Sequence, residues 1–231
     1  MSTATDTAYD EIRAFLLAGK AQPGDRLTEE RLSQIAGVSR TPVREAVLRL
    51  ERELLLMRSP SNRIFVPDWG ADEVEEMFAL RQMLEAHAAE RAATRFSPEG
   101  VDALEAVNNE LHRAVALETP DIAGFLDANR RFHEAVTEAA HSPRLGQILA
   151  MLVEQPVVLR TAHSYSVADL KQSARDHDEL LSAFRARDPS WARSVMNSHM
   201  RRAFHVFADT MKEDAIKGDA IEGEAIDAPE H

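Results

Sequence analysis

Apolar positions in the first third of the chain recur at helical spacing in short bursts. Tyr9, Ile12, Phe15 and Leu16 predict a first helix ending near Ala18, after a frayed start over residues 1–7. Residues 19–25, GKAQPGD, read as a loop. Thr28 is placed to cap a second helix whose inner face is Leu32, Ile35 and Ala36. Gly37 stops it by supplying the left-handed conformation that a tight helix-to-helix turn needs. Ser39 is placed to cap a third helix, with Pro42 in its first turn and Val43, Val47, Leu50 and Leu54 along its inner stripe. Leu55–Arg58 and Ile64–Val66 then switch to strand-like runs around the polar tip Ser59-Pro60-Ser61-Asn62. Helix, turn, helix and hairpin in that order predict a winged helix-turn-helix, which lays one helix in the major groove of DNA.

Pro67-Asp68-Trp69-Gly70 reads as a boundary, giving a reader over residues 1–67. Beyond it the period is helical throughout. Ser97-Pro98, Thr119-Pro120, Ser142-Pro143 and Asp188-Pro189 each pair a capping residue with a helix-starting proline. They divide the chain into helices near 72–94, 98–117, 120–140, 143–162, 167–187 and 189–211, with Gln155-Pro156 kinking the fourth. The fold class is therefore mainly α: a winged helix-turn-helix followed by an antiparallel bundle of six to seven helices over 72–211. Residues 212–231 are acidic, repeat Ala-Ile at 215, 220 and 225, and offer little surface to bury; a disordered tail is expected.

Composition changes this picture only in places. Apolar residues make up 44% of the 231, enough for a real core, yet no run of 18 is apolar, which argues against a membrane span. Asp and Glu near the N-terminus do not suit a signal peptide, and the absence of Cys fits a reducing cytoplasm. The net charge of −12 opposes nucleic acid binding until it is divided. Residues 1–67 carry 10 Lys/Arg against 9 Asp/Glu, and the remainder 17 against 30. The local charge of a contact face sets the phosphate interaction, and the acidic remainder keeps the rest of the molecule off DNA.

Arg40 and Arg44, at i and i+4, share a face opposite Val43 and Val47. A guanidinium there can meet a guanine edge with two parallel hydrogen bonds. Ser39 and Thr41 stand at the same end, Arg31 is placed for the backbone, and Asn62 and Arg63 sit at the wing tip, suited to the minor groove or a phosphate. Each alone reads equally well as solvated surface; the ordered set points to double-stranded DNA.

Three of the nine histidines fall on inward stripes: His133 with Leu126, Asn129 and Val136; His177 with Leu170, Ala174 and Leu181; His199 with Ala192, Val195 and Ala203. They read as separately satisfied core residues or as a cluster of imidazoles suited to Zn, Ni, Cu or Fe. Arg81 and Glu85 form a further inward pair beside Met77, Phe78 and Ala88, either structural or a docking point for an anion. A three-His site with open positions also admits a metal-dependent hydrolase, although Glu134 and Glu138 face away from the stripe, and a pure metal sensor.

At SRTPVREAVLRLERELLL the chain resembles the GntR family of bacterial transcription regulators, whose recognition helix carries a stretch very like VSRTPVREAL. The preceding RLTEERLSQIAG and the long helical region are similar to its FadR-like branch, with an FCD effector domain; the likeness spans about residues 8–211. The family's wing usually ends in Arg-Gly, here replaced by Asn62-Arg63, which removes the glycine's freedom at the tip. The resemblance implies a divalent metal, Zn or Ni, held by an Asp four residues before a Phe-His and two later His. Those positions fall on Asn129, His133, His177 and His199, so an amide replaces the carboxylate. It further implies a homodimer on a palindromic operator, released by a small organic acid that meets the metal and Arg81, with Arg130 and Arg160 as weaker candidates, and no catalysis.

Overall fold

The computed structural model describes residues 3–153 and 165–226, with side chains to Leu152 and over 165–209. The chain divides into two compact units, one carrying Met1–Val74 together with the segment that starts at Ala150, and the other Glu75–Leu149 with the helices after Ser166.

In the first unit, α1 spans Ala4–Leu17, β1 Arg26–Leu27, α2 Glu29–Ala36, α3 Arg40–Arg52, β2 Met57–Arg58 and β3 Ile64–Phe65. The frayed start is corrected: Thr3 and Asp6 form a capping box, each side chain accepting from the other's backbone N–H, and the helix begins at once. Thr28 caps α2 and Gly37 ends it at φ 66°. Ser39 holds the N-cap position of α3 without a side-chain capping bond. β1 was not visible in the alternation because two residues give none; it pairs with β3, and β3 with β2, in an antiparallel sheet of order β1-β3-β2. The wing strands are shorter than predicted, because Leu55 and Leu56 both turn into the core before pairing begins. That core gathers Ile12, Leu16, Leu32, Val43, Val47, Leu50 and Ile64, so every inner stripe meets here. Leu54 is the exception: it lies past the end of α3 at φ 59°, with 46% of its surface exposed, rather than on the inner stripe.

Beyond the sheet, α4 spans Ala71–Ala92, α5 Pro98–Ala116, α6 Ile122–Ala139, α7 Pro143–Val153, α8 Val167–Arg185 and α9 Pro189–Ile226; the start of α4 and the end of α7 belong to the first unit and the rest to the second. Prolines open α5, α7 and α9 as the pairs predict; Pro120 instead precedes Asp121, whose carboxylate accepts from the Gly124 N–H and starts α6 later. The Gln155-Pro156 kink lies outside the described residues. α5 packs on α6 and α8, and α8 on α9. Phe132, Val136, Leu180, Phe184, Val195 and Met200 fill one core region, and Leu111, Phe125, Leu170 and Ala174 another. α9 continues to Ile226, past the predicted end at 211, so the backbone over 212–226 is helical. Scarce apolar surface argued against burial there, but the Ala, Glu and Lys of this stretch are good helix formers.

Candidate functional site

Three helices of the second unit bring the predicted histidines together. His133 on α6, His177 on α8 and His199 on α9 each offer a ring nitrogen, all within 4.8 Å of one another. His177 is fully buried and lies flat on Phe132, ring centroids 3.9 Å apart. Neither of its nitrogens has a hydrogen-bond partner among the described residues. Burial, and then the neighbouring imidazoles, push its pKa well below the ordinary range, so the ring is neutral.

Carboxylates orient the other two rings. Glu85 Oε2 lies 2.5 Å from His133 Nδ1, and Asp176 Oδ2 lies 3.2 Å from His199 Nδ1. Burial alone would raise the Glu85 carboxyl, but Arg81 and His133 outweigh it and hold it well below the usual range. Burial likewise opposes ionisation of Asp176, and bonds from His199, Arg202 and Gln172 prevail. An ionised carboxylate only accepts, so each Nδ1 donates and each Nε2 turns inward. Those two Nε2 atoms are 3.2 Å apart. That separation is close to the roughly 3.0–3.4 Å expected between neighbouring nitrogens about 2.1 Å from one ion. The donor set, the inward Nε2 atoms and the orphaned His177 nitrogens fit a divalent transition metal. Asn129, half-buried one turn before His133 on the same face, could add an amide oxygen.

Arg81 and Glu85 are both buried, and Arg81 donates to Glu85 Oε1 from Nε at 3.1 Å and Nη2 at 2.8 Å. The pair is thus tied to His133 through the second oxygen of the same carboxylate. Arg130 departs from expectation: it is exposed and pairs with Asp127 and Glu134, since its position on α6 points away from the His133 stripe. Arg160 lies outside the described residues. Asp176 and Arg202 escaped the sequence reading, though Asp176 stands four and seven residues before the buried Leu180 and Ala183, a spacing that marks an inward position. Tyr165 also escaped; burial pushes its hydroxyl up to about 12, and the Arg81 charge opposes this.

In the first unit, Arg31, Ser39, Arg40, Thr41 and Arg44 are all exposed on α2 and the outer face of α3. Arg44 Nε donates to Glu29 at 2.8 Å, and Arg40 Nη2 lies 3.4 Å from Glu30. Asn62 and Arg63 are exposed at the wing tip, and Asn62 takes φ 63°, the conformation a glycine would have supplied. Arg58, which the alternation did not single out, braces this tip, donating to Glu51 from Nε and to Asn62 Oδ1 from Nη1.

These two units match two described families. Residues 4–66 match the gntR family of bacterial regulatory proteins, and residues 76–202 match the FCD domain. The chain is 27% identical over 195 residues to the HTH-type transcriptional regulator McbR of Escherichia coli (strain K12), covering 84% of this chain and 87% of McbR. It is 30% identical over 141 residues to the uncharacterized HTH-type transcriptional regulator YdhC of Bacillus subtilis (strain 168), a match spanning 61% of this chain and 62% of YdhC. The solved structure of E. coli McbR superposes with a TM-score of 0.78 at 25% identity, covering 91% of this chain and all of that one. Together, the reader and the helical unit make this chain a member of the GntR family of transcriptional regulators, with an FCD domain behind its DNA-binding head.

Proposed function

We propose that the protein is a cytoplasmic, homodimeric repressor that leaves a palindromic operator when a small organic acid binds a metal site in the helical unit. Regulation through DNA follows from the family; the rest is carried chiefly by one observation, the three inward imidazoles with His177 buried and unpartnered. His133, His177 and His199, with Asn129, would hold Zn or Ni. Such an ion would supply a Lewis-acidic anchor for a carboxylate oxygen. Glu85 and Asp176 keep Nδ1 of His133 and His199 protonated and so aim both Nε2 atoms inward. Arg81 spends Nε and Nη2 on Glu85, and its Nη1 lies outside that pair, suited to a second carboxylate oxygen of the acid.

In the reader, Arg40, Thr41 and Arg44 address base edges. Ser39, at the N-terminus of α3 with an uncommitted cap, and Arg31 address phosphates, while Asn62 and Arg63 address the groove beside the wing. A repressor role is supported by the HTH-type transcriptional repressor RspR of E. coli (strain K12), 26% identical over 193 residues. Release requires that the acid bind the two dimer states unequally.

A duplex selected from a random pool, followed by anisotropy titrations with Zn(II) or Ni(II) and a panel of hydroxy and sugar acids, tests this. Release should need metal and acid together, and His133→Ala/His177→Ala should bind DNA but ignore both. Release by metal alone, or by acid in that double variant, overturns the proposed mechanism.

A further inference from the structure

We propose that Glu29 is a specificity-determining residue: it holds the Arg44 guanidinium by Nε, so that the two terminal nitrogens face the base pairs as a preset fork. This rests on the reading of Arg44 as a base contact. Glu29 opens α2, whose start is fixed by the Thr28 cap and whose inner face is anchored by the buried Leu32 and Ala36. Its side chain is only 26% exposed, against 63% for the Arg44 side chain it holds at 2.8 Å. A guanidinium can meet a guanine edge end-on, through both terminal nitrogens, or side-on, through Nε and one of them. Occupying Nε removes the side-on mode. It also orders a long flexible side chain before DNA arrives, lowering the entropy lost on binding.

The neighbouring pair shows the contrast. Glu30 engages Arg40 through a terminal nitrogen at 3.4 Å, with both side chains largely exposed, so it competes for the atoms that DNA would use. Glu29 leaves those atoms of Arg44 available. The acidic first turn of α2 therefore contains one residue that aligns a reader and one that shields another.

Anisotropy titrations at fixed salt decide this, using the duplex the wild-type protein selects and a scrambled duplex of equal length. Glu29→Ala should lower the selected-to-scrambled affinity ratio about tenfold, with scrambled binding unchanged or tighter. Glu29→Gln, whose amide oxygen still accepts from Nε, should keep the ratio within about twofold, and Glu29→Ala/Arg44→Ala should match Arg44→Ala. Glu30→Ala should tighten both duplexes together. Equal changes on both duplexes in Glu29→Ala, or an unchanged ratio, overturn the role of Glu29. An unchanged ratio in Arg44→Ala instead overturns the reading of Arg44 itself. Melting curves establish that each variant is folded, and Glu29→Gln preserves side-chain shape should the alanine variant unfold.

Discussion

Leu54 is a branched side chain in a conformation made for glycine, at φ 59° and 46% exposed. Sequence periodicity extended the inner stripe of α3 by one position because it follows spacing and does not sense where a helix stops. The left-handed region costs an ordinary L-residue roughly 1–2 kcal/mol, and glycine's extra chain entropy returns part of that. Leu54→Gly should therefore stabilise the reader by about 0.5–1 kcal/mol in urea denaturation; a lower midpoint would show that Leu54 has packing not evident from its exposure. Asn129 is a second position where one residue decides a property. A neutral amide stands one turn before His133 where a carboxylate would offset a divalent charge. Asn129→Asp should tighten Zn(II) or Ni(II) binding by roughly tenfold or more and lower the melting temperature of metal-free protein, because a half-buried charge is then unpaired. Competition with a chromogenic chelator reads the first effect; if neither changes, Asn129 lies outside the coordination sphere.

At the level of elements, the helical period placed His133, His177 and His199 correctly on inward stripes, because facing direction follows from 3.6 residues per turn. It said nothing of which stripes meet. The bonds from Glu85 on α4 to α6, and from Asp176 on α8 to α9, arise only once the helices pack. Arg130 misled for a related reason: a cation on a ligand-bearing helix is an effector candidate only if it shares the ligand face, and this one faces solvent. These packed elements set a pH response. Burial lowers His177 and, with Asp176 in opposition, His199, whereas in the unfolded chain both return to about 6.5. As pH falls below 6.5 the unfolded chain takes up protons that the folded helices refuse, so stability of metal-free protein declines, by at most about 1.4 kcal/mol per pH unit for each ring. Glu85 and Asp176 are also shifted down, but their contribution begins to be lost only below their ordinary values of roughly 4.5 and 3.8. Urea midpoints in chelator at pH 7.5, 6.5 and 5.5 should fall in that order, less steeply in His177→Gln; a flat series would mean that the rings stay accessible to protons.

At the scale of the molecule, the order of the two units and the sign of their charges were legible from the sequence. Reader and helical region differ in both hydrophobic period and net charge, and those properties do not depend on how the chain packs. The structure adds that each unit closes its own core: Ile12, Leu32, Val47 and Ile64 in one, Phe132, Leu180, Phe184 and Met200 in the other. All three imidazoles belong to the second unit, so binding of the proposed metal would be thermodynamically visible there first. Metal at about a hundred times its dissociation constant adds roughly 2.7 kcal/mol to a folded state that alone binds it. For a unit of this size that is on the order of 5–10 °C in melting temperature. Calorimetry with and without Zn(II) or Ni(II) should therefore move the transition of the helical unit by that amount and leave the reader's in place, with the shift gone in His133→Ala/His177→Ala. Equal movement of both transitions would mean that the reader melts as part of the same cooperative unit, and the proposed acid would then act by altering the stability of the DNA-binding head rather than the spacing of two rigid ones.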